Sequence, residues 1–228
     1  MNWGKTDIVK HLSDLNGYRS YLEICTPTTG GEFAKVDASR FDVCHRLMYR
    51  CPDDFADGLP IDFRVSAPDN TQCVEEMHRE GRRYDIILVD SWHEYEPSYR
   101  DLRNALSLVT ENGSIVVHDC LPPGDNLISP THQPGPWCGV TFMAFIDFVT
   151  QNKALNYRTV DADYGCGIIQ RCNETPIDVP AALLEAWNER RGDPESAFRF
   201  LQDNKQDLLR LVSIEEFIRA ETDAEQAT

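Results

Sequence analysis

The chain has 228 residues, of which 41% are hydrophobic, and this content suits one α/β domain whose sheet is buried between helices. Its 38 acidic and 22 basic side chains give a formal net charge of −16, which repels nucleic-acid phosphates and anionic lipids. No run of about 18 apolar residues is present, and the N-terminus lacks the basic and apolar regions of a signal peptide. We therefore predict a cytoplasmic protein without nucleic-acid or membrane partners, and leave open whether it forms a homo-oligomer.

Eight cysteines are present, but no C-x-x-C pair occurs among them. A domain of this size does not need disulfide bonds to stay folded. Most of these cysteines lie in or beside apolar runs, where a thiol packs as a small hydrophobic group. We therefore expect free, buried cysteines in a reducing compartment.

The first third of the chain alternates between helical and strand patterns. Apolar residues recur at helical spacing between Ile8 and Leu15, and short apolar runs bounded by Gly and Pro indicate strands. In chain order we predict a helix capped by Thr6 and ended by Gly17, a strand over 21–26, a helical stretch over 32–38, a weak strand over 41–44, a strand over 61–66 and a helix over 72–81.

Residues 84–90 (YDIILVD) are almost continuously apolar, which is typical of a strand buried on both faces of a parallel sheet. The loop over 121–139 is rich in Pro and Gly and longer than an ordinary connection, so we predict a lid. The other predicted elements are a helix over 99–110, a turn at Asn112-Gly113, a strand over 114–118, a helix over 140–150, a strand pair over 157–161 and 167–171, and a largely helical segment over 180–220.

This order of elements predicts an α/β fold with a Rossmann-like, doubly wound and mostly parallel sheet and helices on both faces. No internal repeat or second domain boundary is visible. We therefore predict one domain over 1–228, with an N-terminal helix in about residues 1–20 and a helical C-terminal extension over about 176–228.

Polar residues follow the first predicted strand, at the sheet edge where ligands bind in this fold. Glu23 lies in that strand, and Thr28, Thr29 and Gly30 form the turn after it. Small hydroxyl residues and glycine let a ligand approach the backbone closely, and the following helix offers free amide groups. The turn matches neither G-x-G-x-x-G nor a P-loop, which disfavours dinucleotides and an NAD-linked oxidoreductase. A plain structural turn is the alternative.

Two further polar groups follow neighbouring strands. Asp90 and His93 end the strand over 84–90, and His118 and Asp119 end the next one. Carboxylates at adjacent strand ends repel each other unless a cation or proton joins them, so we expect Asp90, His118 and Asp119 to hold Mg²⁺ or Mn²⁺. His93 is suited to remove a proton from a hydroxyl near neutral pH. In the alternative interpretation Asp90 caps a helix, Asp119 accepts backbone N–H bonds and His93 is a packed polar residue.

Three segments resemble a known family: YLEICTPTTGG at 21–31, YDIILVDSWHEYEPSYRDLRNALSLVTENGSIVVHDC at 84–120 and VDADYGCGII at 160–169. They are similar to class I S-adenosylmethionine-dependent methyltransferases of bacterial polysaccharide and antibiotic pathways, including metal-dependent O-methyltransferases of macrolide sugars. The resemblance extends from about residue 21 to about residue 169 and is most specific in its middle segment.

The resemblance implies S-adenosylmethionine as the cofactor and an O-methyltransferase acting on a sugar or other small hydroxylated metabolite. It implies that Asp90, His118 and Asp119 hold the metal, and that Asp90 and His93 are catalytic, with His93 accepting the hydroxyl proton. The cofactor-binding residues that we expect are Glu23, Thr26, Thr28, Thr29, Gly30, His45, Ser66, Asp90, Ser91 and Trp92.

The chain departs from the family pattern in the cofactor corner. Cys25 stands where the family usually has glycine. The family has an acidic residue at the end of the second strand that receives the ribose hydroxyls, and residues 42–46 offer no clear equivalent of it. Either His45 takes that place or the cofactor pocket is impaired. His118 also replaces an acidic residue of the macrolide enzymes. These departures motivate a second hypothesis, a catalytically inactive, methyltransferase-like protein that serves in binding or assembly.

Overall fold

The computed structural model describes residues 3–171 and 179–226. In chain order the helices and strands are α1 (Lys5–Asn16), β1 (Ser20–Cys25), β2 (Val43–Tyr49), β3 (Phe63–Val65), α2 (Thr71–Arg79), β4 (Tyr84–Asp90), α3 (Tyr95–Leu108), β5 (Val109–Val117), α4 (Thr141–Gln151), β6 (Leu155–Val160), β7 (Cys166–Arg171), α5 (Ala181–Arg190), α6 (Pro194–Leu208), β8 (Leu211–Val212) and α7 (Ile214–Gln226).

One sheet contains all the described strands, in the order β3-β2-β1-β4-β5-β7-β6-β8. The first five strands in this order, β3, β2, β1, β4 and β5, are parallel to one another. β7 is antiparallel to both β5 and β6, and β8 is parallel to β6. The predicted fold class, a doubly wound and mostly parallel sheet, is therefore confirmed.

Side chains alternate across the sheet, so each strand contributes to two cores. Leu22 and Ile24 of β1 belong to a core that also contains residues of α2 to α6. Tyr21 of β1 and Leu88 of β4 belong to the opposite core, which contains residues of α1 and α7. Because Asp90 follows Leu88 by two residues, it lies on the α1 face of the sheet, at the carboxyl end of its strand.

The strand β2 is longer than the sequence predicts, and the predicted bounds of 41–44 are wrong. It extends to Tyr49, and its last three residues are fully buried. The sequence does not predict this continuation because Arg46 interrupts the apolar pattern, and arginine is rarely buried without a partner. In the structure Arg46 is fully buried and forms an ion pair with Asp57, with its Nη1 2.8 Å from a carboxylate oxygen.

Several smaller boundaries also differ from prediction. α1 begins at Lys5 after the cap residue Gly4, and not after Thr6; the Asp7 carboxylate accepts a hydrogen bond from the Gly4 amide at 2.9 Å. The helical stretch expected over 32–38 is a pair of 3₁₀ turns at 30–35 and 38–40. The expected turn at 112–113 lies within β5, where the pairing with β4 shifts register.

The described cysteines carry no disulfide bond, and five of the seven are buried; Cys172 lies outside the described residues. The predicted helical segment over 180–220 is confirmed, with the two-residue strand β8 inserted between α6 and α7. Over the described ranges, the helices are too short or too polar to cross a membrane.

Candidate active site

The carboxyl ends of β4 and β5 bring four predicted site residues together: Asp90, His93, His118 and Asp119. The two strands are in parallel register, Val89 opposite Val117, and the His118 amide donates to the Val89 carbonyl at 3.1 Å. The backbone then turns sharply, because Asp119 adopts a φ of 62° in the left-handed region that asparagine and aspartate tolerate.

Their polar atoms lie close to one another. Asp119 Oδ2 is 3.2 Å from Nδ1 of His118 and 3.4 Å from Nε2 of His93. Asp90 Oδ1 is 3.5 Å from Nδ1 of His118 and 4.0 Å from Nε2 of His93. All four residues are buried, with exposed fractions between 4% and 7%. We refer to this group as the acidic corner.

Lys5 also belongs to this corner, although no sequence pattern predicts it. Its ammonium lies 2.7 Å from Asp90 Oδ2 and 3.4 Å from Nδ1 of His118, and the residue is only 8% exposed. Its backbone amide donates to Asp163 Oδ2 at 3.0 Å. A lysine in the first turn of an amphipathic helix is normally exposed to solvent. The burial of Lys5 therefore becomes visible only once α1 is packed on the sheet edge.

Electrostatics fix the charges of the acidic corner. Burial alone would raise the pKa of Asp90, but His118 and Lys5 outweigh this effect and hold it far below its ordinary value. Burial would lower the pKa of His118, but the carboxylates of Asp90 and Asp119 raise it well above its usual range. A hydrogen bond with His118 lowers the pKa of Asp163 to about 2. The corner is therefore a network of ion pairs.

The turn between β6 and β7 holds Asp163 beside His118, with their Oδ2 and Nε2 atoms 3.4 Å apart. Asp163 and Tyr164 both have positive φ, and Gly165 has a φ of 84°. A Cβ at Gly165 would lie 2.4 Å from both the Cβ and the amide nitrogen of Leu121. Glycine is therefore required where this turn packs against the loop that follows β5.

A cavity of about 200 Å³ connects the acidic corner to the turn after β1. Its lining includes Lys5, Thr28, Thr29, Trp137 and all four residues of the acidic corner. Thr28 and Thr29, predicted for the cofactor, and His93, predicted as the base, therefore face one cavity.

The turn after β1 is well ordered by its own hydrogen bonds. The amides of Thr29 and Gly30 donate to the Thr26 carbonyl at 3.1 and 2.9 Å, and the hydroxyls of Thr26 and Thr28 lie 2.8 Å apart. A Cβ at Gly30 would lie 2.6 Å from Met48 Cε and 3.1 Å from Cys25 Sγ. Cys25 therefore packs beneath the turn and does not line the cavity.

Glu23 is fully buried in β1, and its carboxylate accepts a hydrogen bond from the Tyr21 hydroxyl at 2.8 Å. Burial raises the pKa of Glu23 to about 8. Its second oxygen, Oε1, is buried and has no hydrogen-bond partner within the part of the chain that the structure describes. This leaves one unused acceptor next to the predicted cofactor turn.

Three predicted cofactor residues lie elsewhere. His45 lies opposite Leu22 in the middle of β2, with its Nδ1 2.8 Å from the Tyr84 hydroxyl, because β2 ends four residues later. Ser66 is exposed after β3 and donates to Asp53 at 3.4 Å. The Ser91 hydroxyl donates to the buried Asp101 on the opposite face from Asp90. The structure does not bring these three side chains to the cavity.

Trp92, also predicted for the cofactor, forms an aromatic cluster beside the cavity. The Arg50 guanidinium lies 4.4 Å from the centre of its ring, and His132 stacks on it at 4.7 Å. Trp137 contacts both Trp92 and His93, at ring separations of 5.6 and 5.2 Å. Arg50 directly follows the end of β2 at Tyr49. The strand predicted over 41–44 is too short to place it at this edge of the sheet.

Comparisons with known proteins agree with this architecture. Residues 56–120 match a family model described as a methyltransferase domain. A caffeoyl-CoA O-methyltransferase candidate from Staphylococcus aureus is 16% identical, with a TM-score of 0.53 over 75% of this chain and 84% of its own. TomG, an O-methyltransferase of tomaymycin synthesis from Streptomyces achromogenes solved with SAM, is 18% identical, with a TM-score of 0.53 over 74% and 80%. A search by sequence among curated proteins finds no match.

The chain therefore has the fold of these O-methyltransferase structures, and residues 56–120 match a methyltransferase domain model. The resemblance seen in the sequence is confirmed at this level.

Proposed function

We propose that this chain transfers the methyl group of S-adenosylmethionine to a hydroxyl of a sugar or another small hydroxylated metabolite. The observation that carries the proposal is the position of His93. Its imidazole lies beside two buried carboxylates and lines the same cavity as Thr28 and Thr29 of the predicted cofactor turn.

His93 is the proposed proton acceptor. Its Nε2 lies 3.4 Å from Asp119 Oδ2, so the carboxylate stabilises the imidazolium that forms when the hydroxyl loses its proton. Its Nδ1 lies 3.4 Å from the Thr141 hydroxyl, and its carbonyl accepts from the Val140 amide at 2.8 Å. These contacts hold the ring in one orientation.

The residues present suit S-adenosylmethionine. Its sulfonium supplies a reactive methyl group when it is bound, and the protein then has to align the acceptor and remove a proton. Thr28 and Thr29 provide hydroxyls at the cavity, and the buried Glu23 Oε1 and Trp92 Nε1 atoms have no partner among the described residues. These unused groups support a polar ligand at this edge of the sheet.

The acidic corner also suits a divalent cation. Asp90, His93 and Asp119 each offer a ligand atom within 4.8 Å of the others, and oxygen-rich sites favour Mg²⁺ or Mn²⁺. We propose Asp90 and Asp119 as ligands, with His118 as the third once it has lost its proton, which leaves His93 free to accept the proton of the hydroxyl. Asp163 orients the His118 ring from its other nitrogen. When bound, such an ion acidifies a coordinated hydroxyl.

The loop over 121–139 is proposed to cover the acceptor. The Cys138 and Gly139 amides donate to the Leu127 carbonyl at 3.1 and 2.9 Å, which folds the loop back on itself and brings Trp137 against His93. An apolar cover over the site excludes water from the reacting groups.

Calorimetric titration with S-adenosylmethionine tests the proposal most directly. We expect saturable binding, followed by methyl transfer to at least one member of a panel of sugars and small polyols. Absence of binding at about millimolar ligand, the upper end of the KM range usual for enzyme substrates, would contradict it.

A non-catalytic binding or assembly protein is the second candidate. It is favoured by Cys25 beneath the cofactor turn and by Arg50, a cation, where an acidic residue was expected after β2. A folded protein that binds no S-adenosylmethionine would support it. A cytoplasmic location and the absence of nucleic-acid and membrane partners remain predictions from composition.

A further inference from the structure

Lys5 is placed in the acidic corner by two separate contacts. Its backbone amide donates to Asp163 Oδ2 at 3.0 Å, which ties the first turn of α1 to the turn between β6 and β7. Its side chain then reaches Asp90 Oδ2 at 2.7 Å. Ile8, Val9 and Leu12 already bury the apolar face of α1, so the packing of the helix does not by itself call for an ammonium group at this point.

The charges explain why a cation is needed there. Asp90 and Asp119 are 4% exposed, and Asp163 lies within 3.4 Å of His118 on its far side. Carboxylates so close together and so far from water require positive partners. Lys5 meets this requirement at Asp90, which is also a proposed metal ligand. An ammonium and a divalent ion on the same carboxylate repel each other strongly in a buried site.

We infer that Lys5 is a positioning residue that acts as an internal cation at Asp90, and that a divalent ion binds the acidic corner only by displacing its ammonium. The corner then keeps its carboxylates in place with or without metal. The inference rests on the proposed function only in sharing its site, because it concerns metal affinity and not methyl transfer.

The test measures Mn²⁺ binding by electron paramagnetic resonance of the free ion, without S-adenosylmethionine. We compare the full chain with Lys5→Met and with a control, Lys10→Met, which removes an exposed lysine from the same helix. Lys5→Met is expected to bind Mn²⁺ at least about tenfold more tightly than the wild type, and Lys10→Met to be unchanged. Lys5→Arg, which keeps the charge, should restore weak binding.

The double variant Lys5→Met, Asp119→Asn locates the effect. It should lose the gained affinity, because Asp119 is one of the two proposed carboxylate ligands. Equal Mn²⁺ affinity in the wild type and folded Lys5→Met, or a gain that survives Asp119→Asn, overturns the inference.

A measurement on the wild type covers the case in which Lys5→Met does not fold. Amine-specific acetylation, read by mass spectrometry, should modify Lys10 readily and Lys5 poorly. Saturating Mn²⁺ should increase labelling of Lys5 relative to Lys10, and unchanged relative labelling on metal binding overturns the inference. Failure of the proposed function appears differently, as absent S-adenosylmethionine binding in the calorimeter, and leaves these outcomes unaffected.

Discussion

Nε2 of His93 lies 3.4 Å from Asp119 Oδ2, and both side chains are less than one tenth exposed. A neutral imidazole in this position can take a proton and keep the resulting charge paired. His93→Gln should therefore lower kcat about 100-fold to 10,000-fold with little change in S-adenosylmethionine affinity. Steady-state kinetics and calorimetry check both parts.

The matched control for that change is His78→Gln, because His78 is exposed on α2 and is not among the residues that line the cavity. It should retain wild-type kcat. Full activity in folded His93→Gln would remove His93 from the mechanism.

Trp137 connects the loop to the site through its contacts with His93 and Trp92, and its indole donates to the Ser129 carbonyl at 2.7 Å. Trp137→Leu should raise the KM of the acceptor about tenfold, because the loop then covers the acceptor poorly. Trp137→Phe keeps an aromatic ring, so its acceptor KM should lie between those of the wild type and Trp137→Leu. An acceptor KM unchanged in Trp137→Leu would show that the loop does not contact the acceptor.

Gly165 adopts a φ of 84° and packs directly on Leu121. Gly165→Ala should lower the free energy of unfolding by about 2–4 kcal/mol, because the added methyl group meets both positive φ and backbone atoms. Gly192→Ala is the control, since no atom lies within 4 Å of a Cβ there. Urea unfolding compares the two, and equal stability would contradict the described turn.

Glu23 predicts a pH dependence of stability. Burial raises its pKa from 4.5 to about 8, so the folded chain binds this proton more tightly than the unfolded chain does. The stabilisation is full below about pH 4.5 and is lost as the pH rises through about 8. Glu23→Gln cannot ionise, so its free energy of unfolding should gain ~2–4 kcal/mol relative to the wild type between pH 5 and pH 9.

Urea unfolding at both pH values measures this gain. Glu75→Gln, on the exposed side of α2, is the control and should follow the wild type at each pH. A constant difference between Glu23→Gln and the wild type across this range would show that Glu23 stays ionised.

The parts of the fold that the sequence predicts well are those where hydrophobic burial dominates. β4 has the predicted bounds because its apolar run is nearly continuous, as a strand covered on both faces requires. The rule that parallel strands end at one edge then brings Asp90 and Asp119 together, although they are 29 residues apart in the sequence.

The errors arise where burial depends on a partner that is distant in the sequence. Arg46 resembles a surface residue until Asp57 pairs with it, and this shortened the predicted β2. Because the predicted strand ended too early, His45 was expected at the cofactor and Arg50 was not considered. Lys5 was missed for a related reason, since its partners lie 85 and 158 positions further along the chain.

The contact between Lys5 and Asp163 has a consequence for the order of assembly. It joins the first helix to the β6–β7 hairpin, across a separation of 158 residues in the sequence. Contacts this distant form late, because a long loop must close before they are made. During synthesis, the ribosome therefore releases α1 and the central strands well before the hairpin that completes their ion-pair network, so the acidic corner is complete only once most of the polypeptide has emerged.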